Sequence, residues 1–299
     1  MRVGMLAAIV SMALLNLSDI ARAQQNQKIP NTTPAWNDNA LIEIQKRGGD
    51  PAREGDVGIE FYGHDAFKIT SPEGLSVLTD PWRNDSTGAF PKWFLRDFPA
   101  IQVDVVLSTH AHFDHDAVTR PRSLMVLDRL AGDFKLGDVE IAGLADKHKC
   151  DPTAADNAQN CPPNNVMSMD NAIQVIQTGG LRIAVWGDNR ASPDAAWDRS
   201  LKRVDLLILP VEAVLTRAEA EAVVERYDPK AVIPSHYFVS GLTTKTSGVE
   251  SVGGWVSEQE KNRHVDVRRL SGAELTLNSA ALKDARHRIY YFGEHASLK

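Results

Sequence analysis

A mixed α/β fold is what the sequence predicts, and three observations predict it. Short β-rich runs recur from Val57 to Pro234, a well-capped helical stretch stands between two of them, and several runs end on a histidine or an aspartate. With 299 residues, 43% of them hydrophobic and 24% charged, the chain is long enough for one large domain or two small ones around a proper core.

The first segment stands apart from that core. Arg2 gives a positive start, Val3 to Leu17 forms a short apolar run, and Ala21-Arg22-Ala23 precedes Gln24 as a small-x-small site. These are the three regions of a cleaved signal peptide. A membrane anchor or a buried helix is the alternative, but about 15 apolar residues fall short of the roughly 20 that span a bilayer. The expectation is a leader over residues 1–23, a periplasmic or secreted mature chain, and no stable membrane anchor after cleavage. Residues 24–56 are polar, with Pro30, Pro34 and the pair Gly48-Gly49, and predict an arm or a short helix ahead of a domain over 57–299.

From Val57, "VGIEFYG" alternates, "AFKIT" follows, "SPEG" makes a turn, and "LSVLT" is a strand ending at Asp80. "VDVVLST", Val103 to Thr109, is a nearly continuous apolar run, the mark of a strand buried on both faces. "DVEIAGL", "AIQVIQT", "LRIAVWG" and "VDLLILPV" repeat the strand pattern, with "TGG" as a hairpin turn between the second and third. Thr216 and Glu219 form a capping box that opens the helix "RAEAEAVVERY", and Pro229 lies beyond its end. "AVIP" is a further strand, with "SHYF" at its mouth.

The net charge of −6 becomes −7 once Arg2, Asp19 and Arg22 leave with the leader. No stripe of Lys and Arg interrupts the chain, which argues against a nucleic-acid partner. In an exported protein Cys150 and Cys161, which share a loop rich in Pro, Asn and Asp, read as a disulfide. Two free thiols or a pair of metal ligands are the alternatives. A ring this small would stabilise by roughly 2 to 3 kcal/mol if unstrained.

The densest chemistry lies in "VVLSTHAHFDHDAV", Val105 to Val118. His110, His112, Asp114 and His115 follow a buried strand directly, where the chain leaves the sheet and side chains can converge on one point. Neutral imidazoles and carboxylates suit zinc, manganese or iron, and the H-x-H-x-D-H spacing lets alternate residues serve one ion and the Asp-His pair another.

With "GHDAFKI", "LTDPW", "LSTHAHFDH", "ADKHKC", "AVWGDN" and "IPSHYF" in this order, the chain resembles the metallo-β-lactamase-fold hydrolases across nearly all of its mature length. "EFYGHDAFKI" looks most like the branch with ascorbate-6-phosphate lactonase and N-acyl-phosphatidylethanolamine phospholipase D. The resemblance implies an αββα sandwich of two mixed sheets flanked by helices. It also implies that His110, His112 and His148 hold a first metal, that Asp114, His115 and His236 hold a second, and that Asp188 bridges the two. Asp80 is implied as a carboxylate supporting the metal histidines, and His64 as a second such group or a substrate-facing one. Read singly, Asp80 is also a turn residue before Pro81, Asp188 a turn former, His148 a solvated loop residue, His64 a polar residue in a strand bend and His236 a cap at a strand end. Two features depart from the family: Asn189 stands where Thr or Ser often follows the bridging aspartate, and the Cys-bounded insert follows His148. His264, His287 and His295 lack companion ligands and read as surface residues. Trp82 and Trp93 flank the segment after Asp80 where the family often has a substrate-facing loop, and packing explains them equally well.

The implied reaction is hydrolysis of an ester, lactone or phosphodiester in a small-molecule substrate by a metal-bridging hydroxide. Asp114, Asp188 and His64 stand closest to the chemistry, and two divalent ions, zinc first with Mn2+ or Fe2+ as alternatives, act as cofactors. No G-x-S-x-G elbow and no phosphate-binding loop competes with this reading. The other classes are an iron-dependent redox enzyme on the same ligand set and a metal-stabilised binding protein without catalysis. The leader yields the first prediction: mass spectrometry of the protein from its native host should find a mature chain beginning at or near Gln24, and an intact Met1 would reject the export reading.

Overall fold

In the computed structural model, which describes residues 35–149 and 171–298, the β-rich runs form two sheets. The expected leader and both cysteines lie outside the described residues. The chain divides into a unit Met1–Ile42, of which only the start of helix α1 (Ala35–Arg47) is described, and a unit Glu43–Lys299 that contains both sheets.

The six-stranded sheet is built from β1 (Val57–Phe61), β2 (Phe67–Thr70), β3 (Ser76–Thr79), β4 (Gln102–Ser108), β5 (Arg122–Asp128) and β13 (Glu274–Leu277), in the order β13-β1-β2-β3-β4-β5. Its first strands are antiparallel, whereas β3, β4 and β5 run parallel. The eight-stranded sheet adds β6 (Gly132–Leu136), β7 (Val139–Asp146), β8 (Asn171–Thr178), β9 (Leu181–Val185), β10 (Leu206–Pro210), β11 (Ala231–Ser235), β12 (Val267–Arg269) and β14 (Arg288–Tyr291). The order is β12-β14-β11-β10-β9-β8-β7-β6, with β9 to β12 and β14 parallel and β6 to β9 antiparallel. Both sheets are therefore mixed, as expected.

Local chemistry explains the connections. The β8–β9 hairpin turns on Gly179 and Gly180, both at positive φ (59° and 75°), the conformation of a two-residue type I′ turn. A Cβ on Gly179 would also stand 2.5 Å from the Val57 side chain, so glycine is required twice over. Between β10 and β11 the chain crosses over through α3 (Arg217–Tyr227), whose Thr216 Oγ1 accepts from Glu219 N while Glu219 Oε2 accepts from Thr216 N. Ala220, Val223, Val224 and Tyr227 form its buried face, and Tyr227 packs its ring 5.9 Å from Trp186. A short helix α2 (Asp198–Leu201) precedes β10, and α4 (Gly253–Asn262) buries Trp255 and Val256.

Aromatic residues join the two sheets. Phe61 of β1 lies 4.9 Å from Phe67 of β2, 5.6 Å from Tyr237 just after β11 and 5.3 Å from Phe292 just after β14. All four rings are buried, so the two sheets share one core beneath the strand ends. The capping box supplies a fold-level prediction: Thr216→Ala should lower the unfolding free energy by about 1 kcal/mol in chemical denaturation, the usual worth of such a cap.

Candidate metal centre

The sequence-predicted residues converge. His110, His112, Asp114 and His115 follow β4, His148 follows β7, Asp188 follows β9 and His236 follows β11. The two sheets thus bring their strand ends to one crevice, and β4, β9 and β11 do so at the carboxyl ends of parallel strands, where open α/β sheets form ligand sites.

The ligating atoms fall into groups that lie within 4.8 Å of one another. One holds His110, His112, His148 and Asp188; a second holds His64, Asp114, His115 and His236; a third joins Asp65, His115 and Asp188. In the first, His110 Nε2 lies 3.0 Å from His112 Nδ1, and Asp188 Oδ2 faces His148 Nε2 at 3.4 Å and His110 Nε2 at 3.8 Å. In the second, Asp114 Oδ2 faces His64, His236 and His115 Nε2 at 2.9, 3.4 and 3.5 Å. Asp188 Oδ1 turns to this second group, 3.4 Å from His115 Nε2 and 3.6 Å from His236 Nε2. One carboxylate therefore addresses both groups, one oxygen to each.

These atoms suit cations. Among the described residues, the Nε2 atoms of His115, His148 and His236 and the Oδ1 of Asp188 are buried without a hydrogen-bond partner, which is costly unless something joins them. In two of these rings the far nitrogen is engaged, His115 Nδ1 lying 2.9 Å from Asp80 Oδ2 and His148 Nδ1 2.6 Å from the Lys149 carbonyl, whereas His236 Nδ1 is buried without a partner. Such partners fix each tautomer and leave Nε2 free to ligate. Divalent metals that take nitrogen and carboxylate oxygen match this donor set.

Asp80 is buried and accepts from Thr109 N and Thr109 Oγ1, both at 2.7 Å, as well as facing His115. It thereby ties the end of β3 to the histidine run after β4. His64 enters the second group directly, with Nε2 on Asp114 and its ring 3.8 Å from that of His236. His64, Asp80 and His236 all adopt positive φ (58°, 43° and 58°), a region non-glycine residues avoid and functional sites tolerate.

Electrostatics follow from burial and crowding. Burial raises Asp114 and Asp188, but the surrounding histidines outweigh it and hold both well below the usual carboxylate range. Burial lowers His115, yet Asp188, Asp114 and Asp80 outweigh it and push the imidazole well above its ordinary value. His64 is driven down to about 3 by burial and by His236.

Two residues, Asp146 and Asp65, escaped the sequence reading. Asp146 accepts from Asn189 Nδ2 at 2.8 Å and from Arg190 Nη2 at 2.6 Å, clamping the turn that presents Asp188. Asn189 also takes part with Asn171, so its side chain braces this turn. Asp65, fully buried and raised to about 7 by burial and by Asp80, lies 3.8 Å from His115. Its position beside His64 in "GHD" was the available signal. Of the other histidines, His264 and His295 are exposed, and His287 pairs with Asp228 at 2.7 Å. Trp82 is buried, stacked 4.4 Å from Phe94, whereas Trp93 is half-buried 6.0 Å from His64.

The β-lactamase superfamily domain matches residues 58–236, the stretch that carries these ligand positions. The chain belongs to this family. It is similar to a UPF0173 metal-dependent hydrolase of Roseiflexus castenholzii, 26% identical over 207 residues, which covers 61% of this chain and 83% of the relative. A second such relative, from Koribacter versatilis, is 27% identical over 222 residues, or 64% of this chain and 89% of its own length. Among solved structures, a candidate Zn-dependent hydrolase of the metallo-β-lactamase superfamily from Thermotoga maritima superposes with a TM-score of 0.54 at 21% identity, covering 79% of this chain and 98% of the other. A candidate metal-dependent hydrolase from Veillonella parvula gives a TM-score of 0.54 at 16% identity over 75% and 100%. These structures share the fold.

The Asp80–His115 contact generates a prediction. Asp80→Asn should weaken zinc binding by about 10- to 100-fold, measured by competition with a chromophoric chelator, because the second partner of a metal imidazole is worth that much. Unchanged affinity would reduce Asp80 to a turn residue.

Proposed function

We infer that this chain is a metal-dependent hydrolase acting on a small-molecule substrate, and we propose that it works with two divalent ions, zinc first, on an ester, lactone or phosphodiester bond. The observation that carries the binuclear reading is Asp188, whose two oxygens face two separate groups of imidazoles. His110, His112 and His148 would hold one ion, Asp114, His115 and His236 the other, and Asp188 both.

Two bound divalent cations would supply Lewis acidity, making water a competent nucleophile near neutral pH and polarising the bond under attack. The chain's own residues supply positioning. Asp80 and the Lys149 carbonyl hold the rings of His115 and His148 with Nε2 toward the crevice. His64 holds the Asp114 carboxylate through Nε2, 2.9 Å from Oδ2. Burial of His110, Asp114, His115, Asp188 and His236 keeps bulk water from these donors, which strengthens every charge interaction there. Export through the leader and a Cys150–Cys161 disulfide belong to the same proposal, supported by the sequence patterns described above.

Asp188→Ala removes the one group addressed to both sets of imidazoles. Turnover on the best substrate of a lactone, phosphodiester, carboxylester and β-lactam panel should fall at least about 100-fold, with bound metal dropping below two equivalents. Chelation should abolish wild-type turnover and zinc should restore it. An Asp188→Ala variant with two metals and wild-type turnover would reject the binuclear reading.

A further inference from the structure

A chain of aromatic contacts leads out of the metal centre. Trp93 packs 6.0 Å from His64, Phe113 lies edge-on to Trp93 at 5.1 Å, and Phe90 follows at 5.5 Å from Phe113. Phe113 stands in the sequence between His112 and Asp114, so the wall begins within the ligand run. Its outer end is open: Phe90 is 56% exposed, the most exposed large hydrophobic side chain among the described residues. Single exposed apolar residues are ordinary, but this exposed ring continues a strip of ring contacts that reaches a buried polar cluster, the combination of apolar wall and convergent polar groups that ligand sites use.

The backbone that carries the strip is fixed. Asn84 Oδ1 accepts from Trp93 N at 2.9 Å and Phe94 N at 2.8 Å, and the Trp93 carbonyl accepts from Thr244 N at 2.8 Å. Asp85 Oδ2 accepts from Phe90 N at 3.1 Å, and the Phe113 carbonyl from Arg83 N at 3.0 Å. The backbone on which the rings stand is thus anchored at each of the three positions.

We propose that the substrate carries an acyl chain attached to the scissile bond and that this chain lies along Trp93, Phe113 and Phe90. The inference rests on the hydrolytic reading for the bond that is cut: water's oxygen joins the acyl carbon, the carbon–oxygen bond to the leaving alcohol breaks, and the alcohol takes a proton. Contact between the chain and the wall can be measured without turnover.

The experiment uses zinc-loaded full-length protein, with octanoate and butanoate as carboxylate probes in calorimetric titrations and their p-nitrophenyl esters in kinetics. Each methylene laid on the wall strengthens binding by up to about fourfold, so octanoate should bind at least about tenfold more tightly than butanoate, and the kcat/KM ratio of the esters should follow. Phe90→Ala, at an exposed position, should cut both ratios to less than about threefold. Equal affinity of the two acids, or an octanoate preference untouched by Phe90→Ala, would overturn the proposal. So would a Phe90→Ala defect confined to binding of phosphatidylcholine vesicles, which would assign the strip to a membrane surface. Octanoate binding that follows the wall while neither ester is cut would uphold the acyl contact and count against ester hydrolysis. Chelator-sensitive cleavage of both esters at equal rates would do the reverse.

Discussion

Two buried carboxylates, Asp114 and Asp188, set the condition that the rest of the crevice has to meet. A carboxylate removed from water is costly unless positive charge or several donors reach it. Here imidazoles surround both, and they do not share the charge evenly: His115, His148 and His236 are pushed up, against the effect of burial, largely by the carboxylates, while burial and neighbouring imidazoles push His64 and His110 down. Crowded imidazolium ions repel one another, so protons are a poor answer to the need for charge at this spot. A bound metal cation would supply positive charge to these donors in place of protons, which would couple metal binding to both pH and stability.

The fold meets this condition by ending strands of both sheets at one place and then forcing the chain to turn sharply. His64, Asp80 and His236 take left-handed backbone conformations, each costing on the order of 1 to 3 kcal/mol, and they persist because their partners over-determine them. The His64 carbonyl accepts from His236 N at 2.7 Å, and Thr109 holds Asp80 through two hydrogen bonds. Gly187 does the same work before Asp188. At φ 57° a Cβ there would stand 2.4 Å from Thr109 Oγ1, the atom that donates to Asp80. Remote elements are tied in as well, since Lys149, next to His148, pairs with Glu219 of the helix cap on α3.

Much of this was legible in the sequence because buried strands write a strong pattern. β1 to β4 and β7 to β11 all appear as apolar or alternating runs, and the capped helix appears with its bounds. β5, β6, β12, β13 and β14 were not read: the first four are edge strands, and β5 shows an almost wholly half-exposed pattern, so no buried face marks it, whereas β14 lies inside its sheet but offers only the short run Arg288–Tyr291. Helix α4 opens on Gly253-Gly254 with no side-chain cap, which removed the usual start signal. At the centre, the ligand run after β4 was visible as a cluster, and the single residues after β7, β9 and β11 became legible through family resemblance and their strand-end positions. Asp146 and Asp65 act through neighbours far away in the chain, and apart from the place of Asp65 beside His64 no local spacing announces them.

The division of labour between strand ends and connecting loop also bears on specificity. Strand ends deliver donors of fixed identity, and their geometry is constrained by two sheets and a shared aromatic core. A reaction class therefore follows from them, but a substrate does not. The β3–β4 connection is free of that constraint: it anchors itself through the buried Trp82–Phe94 stack and the Asn84 hydrogen bonds, then leaves Trp93 half-buried near His64 and Phe90 exposed on the far side of Phe113. Burying one ring pair to hold another at the rim makes sense if the outer rings meet a ligand that the metal centre also holds. Selectivity should then vary with the outer ring, Phe90, while the donor set stays the same, because Phe90 makes its ring contact with Phe113 and not with a donor.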